Sequence, residues 1–291
     1  MAQSKLVLVT GATGKQGGAC VEALLTRGHQ VRALTRNSTS PAANRLRERG
    51  VEITVGDFSD RDSLMRAARG ADAVYAMSTP YEQGAEKETA QGITITDAAR
   101  AARVGHFVYS SVASANRGTG IGHFDGKYTV EKHLQASGVP YTIVAPVFFM
   151  ENLLQPWTLP SLRQGKLTMA LPASRLLQQI TVADIGAFVA AVIERSDTVF
   201  GRRFDIAGDE LTGDQAAAIL SKVAGREIRY EGFPPEVLRN QSEDMARMFG
   251  WFDSTGYAAD IKNLRRDFPE VTWHTFEQWA REQDWSVLDQ S

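Results

Sequence analysis

Cysteine is nearly absent from this chain. Cys20 is the only one among 291 residues, so no internal disulfide can form and a reducing compartment is expected. It falls in an apolar helical pattern, where a thiol packs as a small hydrophobe. Surplus positive charge is also missing: 32 Lys and Arg face 34 Asp and Glu, for a net charge of -2. No basic stripe points to direct nucleic-acid binding, and no polybasic segment to an anionic membrane. Long apolar runs are lacking too. The longest, VPYTIVAPVFFM, is broken by two prolines and is too short to span a bilayer. No charged n-region followed by an apolar run and a cleavage site opens the chain. A cytoplasmic protein is therefore expected. The five histidines are scattered with no H-x-x-x-H, and Cys20 has no partner, so no metal site is expected. A Ser-His-Asp hydrolase is disfavoured because no G-x-S-x-G elbow occurs.

What is present is alternation. Apolar strand-like runs occur at 5–10, 30–35, 51–56, 71–77, 106–111 and 141–146. Helix-period segments separate them at 17–27, 41–49, 61–69, 84–103 and 124–137. Near-continuous apolar strands spaced by helices predict an α/β fold, a Rossmann-type doubly wound parallel sheet covered on both faces. After residue 150 the alternation weakens. Residues 181–195 read as a helix with Thr181 as N-cap and Asp184 at N3, FDIA (204–207) as one more strand, and 211–225 as an amphipathic helix capped by Thr212. The expected division is a dinucleotide-binding domain at 1–155, with 178–207 returning to it, and a smaller, mainly helical domain at 156–291. The tail aromatics Trp251, Trp273, Trp279 and Trp285 suit core or interface packing.

The segment VTGATGKQGG (9–18) follows the first strand and opens the first helix. Gly11, Gly14 and Gly17 form G-x-x-G-x-x-G. Glycine there permits a tight turn, lets backbone N–H groups approach a pyrophosphate, and lets helix and sheet pack closely. In a strand–turn–helix setting this is a dinucleotide signal. The second strand ends in TRNSTS (35–40), where a cofactor lacking a 2′-phosphate usually meets an acid. Arg36, beside Asn37 and hydroxyl residues, offers a fork for that phosphate instead, so NADP(H) is expected. Asp57, after the third strand, is placed to reach the adenine end, or else caps a turn.

Residues 123–134, HFDGKYTVEKHL, contain two lysines four residues beyond a plausible acid–base partner: Tyr128–Lys132 and His123–Lys127. On a helix at about 100° per residue, Val130 and Leu134 are the apolar anchors, and Lys127 and His123 share their stripe within an arc of roughly 60°. Tyr128 and Lys132 fall on the opposite side, toward water. Periodicity therefore selects His123 and Lys127.

At this point the chain resembles the NmrA-like family of atypical short-chain dehydrogenase/reductases, and is close in look to its redox-sensor branch. The residues that carry the likeness are TGATGKQGG, VRALTRN, GDFSD, HFDGK, GVPYTIVAPVFFMENLL and ITVADIG. Lys127 followed by Gly138, Pro140, Tyr141 and Thr142 also matches the K…GxPYT frame of isoflavone-reductase-like relatives. The resemblance implies that Lys127 contacts the nicotinamide ribose. It implies a cofactor site drawn from Gly11, Ala12, Thr13, Gly14, Lys15, Gln16, Gly17, Arg36, Asn37, Asp57, Phe58, Ser78, Thr79, Lys87, Lys127, Phe149, Glu151 and Asn152. In the superfamily frame His123 stands where a catalytic tyrosine would be, a change the sensor branch shares.

The expected function is hydride transfer from NADPH to a small, apolar or aromatic carbonyl, quinone or conjugated acceptor. The catalytic candidates are His123 as proton donor, Lys127 on the ribose, and Ser111 (or Ser110) as a hydrogen-bond donor. The alternative is a non-catalytic NADP(H) sensor that regulates a protein partner. An oligomer is compatible with either.

Overall fold

In the computed structural model, residues 3–79 and 84–289 are described. The chain divides into two compact units: Met1–Gly118, Gly122–Ala145 and Ile185–Phe204 form the first, and Thr119–Ile121, Pro146–Asp184 and Asp205–Ser291 the second.

The alternating apolar runs become β1 (Leu6–Val9), α1 (Lys15–Thr26), β2 (Gln30–Thr35), α2 (Pro41–Glu48), β3 (Glu52–Val55), α3 (Arg61–Ala68), β4 (Ala73–Ala76), α4 (Gly84–Ala101), β5 (His106–Ser110), α5 (Gly122–Ser137) and β6 (Tyr141–Pro146). Next come β7 (Phe148–Phe149), α6 (Leu159–Arg163), β8 (Lys166–Met169), β9 (Leu176–Ile180), α7 (Val182–Glu194), α8 (Ser196–Val199) and β10 (Arg203–Ile206). The chain closes with β11 (Asp209–Thr212), α9 (Gly213–Ala224), β12 (Arg229–Gly232), α10 (Glu243–Ser254), α11 (Ile261–Asp267) and α12 (Phe276–Glu282). No helix among the described residues is long and apolar enough to cross a membrane.

Seven strands form one sheet in the order β10-β6-β5-β4-β1-β2-β3, with parallel pairing from β6 across to β3. The order reverses on either side of β1 and β4, which makes a crevice at their C-terminal ends. One face of this sheet is sealed by Leu64, Ile95, Val130 and Leu134 from α3, α4 and α5, packed on Leu8, Val74, Phe107 and Ile143. Each such side chain contributes roughly 1.5–3 kcal/mol on burial. Helices α4 and α5 cross unusually closely. A Cβ on Gly92 would sit 2.6 Å from a methyl of Val130, and one on Gly126 2.6 Å from the Thr89 hydroxyl oxygen. Cys20 is fully buried, and burial pushes its thiol up to about 12.

His106, at the start of β5, shows what burial does to a base. Its Nε2 lies 2.9 Å from the Thr142 hydroxyl, whose own proton goes to the Val199 carbonyl. Nε2 is therefore the donor, and the buried Nδ1 is bare among the described residues. Burial, with the nearby Lys5 charge second, lowers this imidazole from 6.5 to about 3. As pH falls below 6.5, the unfolded chain takes up a proton that the folded chain refuses. Stability should thus decline by about 1 kcal/mol per pH unit from this group until pH reaches its folded value. His106→Gln should remove that slope, as read from denaturant midpoints between pH 6 and 4.

The second unit holds two small sheets, β11-β9-β7 and β12-β8. Its core joins Met150, Leu162, Leu211, Leu220, Phe276 and Trp279. Thr212 caps α9 in a reciprocal capping box with Gln215, as the sequence predicts. The predicted cap at Thr181 is also present: its hydroxyl accepts the Asp184 N–H at 2.9 Å. Asp184 in turn accepts from His274 through the ring Nδ1 (2.6 Å) and the backbone (2.8 Å). Burial raises the Asp184 carboxyl against the opposing pull of these His274 contacts. Trp273 and Trp279 are buried, which fits packing.

Candidate functional site

The glycine turn is built as a cradle. Gly11 adopts φ +63°, a left-handed backbone that glycine reaches without steric cost. Its carbonyl accepts the Gly14 N–H at 2.9 Å. A Cβ on Gly17 would lie 2.2 Å from the Gly11 carbonyl oxygen, so only glycine lets α1 start this close to the loop. Gly14 is the N-cap of α1, with no side-chain cap, and the first turn carries no acid. The first N–H groups and the positive end of the helix dipole are thus left to an anion. Ala12 is buried, while Thr13 and Lys15 are exposed. Gln16 is turned inward and donates to the Ser110 hydroxyl at 2.7 Å. These residues fit a dinucleotide diphosphate.

One strand over, Arg36 and Asn37 follow β2 and are exposed. The Asn37 side chain accepts from the Thr39 backbone (3.0 Å) and hydroxyl (2.8 Å), which folds the loop leading into α2. Asp57 and Phe58 are half-buried after β3. Hydrogen bonds from the Ser59 hydroxyl and backbone hold the Asp57 carboxyl below the usual range, and the Arg36 charge adds to that. The guanidinium and this carboxylate are therefore electrostatic neighbours at the same end of the sheet.

Helix α5 begins at Gly122, so His123, Asp125 and Gly126 are all helical. Val130 and Leu134 are fully buried, as their stripe predicts. Lys127 shares that stripe. Its Nζ lies 2.8 Å from Glu88 Oε1 and 3.3 Å from the Ser78 and Ser110 carbonyls, and it sits 5.7 Å from the Tyr109 ring centroid. It thus ties the C-terminal ends of β4 and β5 to α4. Tyr128 and Lys132 instead stack on each other, Nζ 5.1 Å from the ring centroid, with Lys132 exposed. His123 is half-buried one turn before Lys127 and packs edge-on against Phe124, centroids 4.8 Å apart.

The remaining candidates are less convergent. Ser78 is buried and Thr79 half-buried beyond β4, whereas Lys87 is exposed on α4. Ser111 is buried, and its hydroxyl is hydrogen-bonded to the Glu131 carboxylate. Glu131 is also paired with Arg203 Nε at 3.0 Å, and Arg203 reaches the Val112 carbonyl at 2.8 Å. Ser111 is therefore part of a buried polar network beneath the loop after β5. Phe149, Glu151 and Asn152 belong to the second unit. There Phe149 pairs with Ile180, Glu151 Oε1 accepts the Val182 N–H at 3.1 Å, and the Asn152 carbonyl accepts from Thr158. Among the described residues no cluster of His, Cys, Asp and Glu could hold a metal ion. A concavity of about 400 Å³ lined by Arg61, Asp97, Arg100, Ala101 and Arg103 contains none of the site residues.

Glu88 escaped the sequence reading. A glutamate in a helix reads as solvated, yet this one is 2% exposed. The available signal was its place on the buried stripe Glu88, Gly92, Ile95 and Ala99 of α4, at helical spacing.

The NmrA-like family model matches residues 3–280. A (4-alkanoyl-5-oxo-2,5-dihydrofuran-3-yl)methyl phosphate reductase of Streptomyces griseus is 33% identical over 229 residues, covering 78% of this chain and 76% of its own. The NADPH-dependent quinone oxidoreductase QOR2 of Escherichia coli, solved with NADPH, is 25% identical with a TM-score of 0.80, over 94% of this chain and 98% of its own. NmrA, a negative transcriptional regulator solved with NAD, shares the fold at 20% identity and a TM-score of 0.78, over 97% and 99%.

Proposed function

The chain belongs to the NmrA-like family, and from that premise we propose that it is an NADPH-dependent reductase of a small quinone or conjugated carbonyl compound. The observation that carries this reading is the pairing of an uncapped, acid-free α1 N-terminus with Arg36 on the neighbouring strand end. The first suits a diphosphate, and the second suits the additional phosphate of NADPH. Relatives that reduce a quinone and an unsaturated lactone support the acceptor class.

When bound, the nicotinamide supplies a hydride. The protein's part is orientation and proton supply. Lys127 holds its ammonium at the ends of β4 and β5, placed for the nicotinamide ribose. His123, one turn earlier on α5, is the proton donor to an acceptor oxygen that gains charge. Ser111, tied to Glu131, shapes the loop after β5 from beneath.

Arg36→Ala should weaken NADPH binding by about 10- to 100-fold, the worth of charge-assisted phosphate contacts, and leave NADH nearly unchanged. Calorimetry with both nucleotides checks this; equal affinity of the unmutated chain for the two would sink the NADPH assignment. Turnover is read from NADPH consumption with quinones and enones. The Glu88 carboxylate and the two carbonyls already around the Lys127 ammonium favour a second reading, in which the cofactor is held without turnover and its redox state is passed to a protein partner. Tight NADPH binding with no consumption on any acceptor would select it.

A further inference from the structure

The geometry points to Glu88 as a positioning residue for cofactor binding: its carboxylate holds the Lys127 ammonium at the C-terminal ends of β4 and β5. This rests on the reading of Lys127 as a contact to the nicotinamide ribose.

An ammonium carries three protons and no more. Here the carbonyls of Ser78 and Ser110 accept from it at 3.3 Å each, and Glu88 Oε1 stands 2.8 Å away as its ion-pair partner. A ligand hydroxyl can engage Lys127 through the remaining proton or by displacing one of the carbonyls. The carbonyl contacts lie beyond the usual N–H···O range and are the weaker ones. The carboxylate contact is short and charged, and it stays. Glu88 therefore decides where the ammonium sits, and the two carbonyls mark the directions a ligand can take over.

Stability does not explain the pair. A buried ion pair gains little over apolar side chains of the same volume, because both charges are desolvated. Glu88 has no other compensation: neither of its carboxylate oxygens has a hydrogen-bond donor among the described residues, and the Lys127 charge stands 2.8 Å from Oε1 as an ion-pair partner. Each charge is thus tolerated because of the other, and Lys127, 11% exposed, is the one at the site.

The test is calorimetry on the full chain with two ligands, NADPH and adenosine 2′,5′-bisphosphate, which lacks the nicotinamide ribose. Glu88→Gln should weaken NADPH by about 10-fold, the loss of one charge-assisted contact, and leave the bisphosphate within about twofold. Lys127→Met should show the same selectivity, and the double variant should bind NADPH no worse than Lys127→Met alone, since the two act as one unit. Should Glu88→Gln fold poorly, Glu88→Asp, with the charge kept and the reach shortened, carries the same comparison between ligands. Unchanged NADPH affinity in the Glu88 variants overturns the proposal. So does equal weakening of both ligands, which a general packing role would give, and so do additive losses in the double variant. If the unmutated chain binds neither ligand, the cofactor reading itself fails, and this proposal with it.

Discussion

Lys127→Met is expected to lower the unfolding free energy by about 3–5 kcal/mol, because it leaves an uncompensated carboxylate in the interior. Glu88 is 2% exposed and Lys127 11%. Methionine matches the lysine stem in length and fills the same space, so packing loss contributes little. The energy comes from the orphaned charge. Adding Glu88→Gln should restore most of the stability, because an amide is far cheaper to bury than an unpaired anion. The measurement is a guanidinium chloride midpoint with an unchanged m-value. A single variant as stable as the parent would show that the two charges are not held against each other in the fold.

The second large effect is on binding. Gly17→Ala is expected to weaken NADPH by about 100-fold or more, through the backbone and not through a lost side-chain contact. The new Cβ would meet the Gly11 oxygen at 2.2 Å and the Gly11 carbonyl carbon at 2.4 Å. Neither atom is a flexible side-chain end. The loop must move off α1 by roughly 1 Å to reach ordinary contact, and a hydrogen bond to a phosphate oxygen weakens steeply over that distance. Stability should fall by only about 1–3 kcal/mol, the usual cost of overpacking. Gly250→Ala, where a Cβ meets nothing within 4 Å, is the comparison and should be neutral or slightly stabilising. Near-normal nucleotide affinity in Gly17→Ala would remove the turn from the site.

The first half of the chain was legible because buried parallel strands need unbroken apolar runs. KLVLVT, QVRALT and YTIVAP admit little else, and they became β1, β2 and β6. Lys127 was legible for a related reason: Val130 and Leu134 fix the azimuth of α5, and the lysine shares it. The strands of the second unit were not. β11 (DELT) and β12 (RYEG) are four residues each, with three of the four positions charged or hydroxylated, and only pairing with β9 and β8 makes them strands. Pairing between distant segments leaves no local period to detect. Glu88 stayed hidden because a carboxylate announces water until its partner on another helix is known. Ser111 looked available at a strand end; the acceptor that takes its hydroxyl, Glu131, lies 20 residues away.

The glycines at 92 and 126 bring α4 and α5 to a separation that methyl groups would forbid. Gly126 directly precedes Lys127, and its contact Thr89 directly follows Glu88. Two uncharged residues thereby set how far apart opposite charges stand and how little solvent can come between them. A methyl at either position would wedge the helices apart, admit water, and weaken the attraction without altering a single ionisable group. The electrostatic character of this corner of the protein is thus encoded partly in missing carbon atoms.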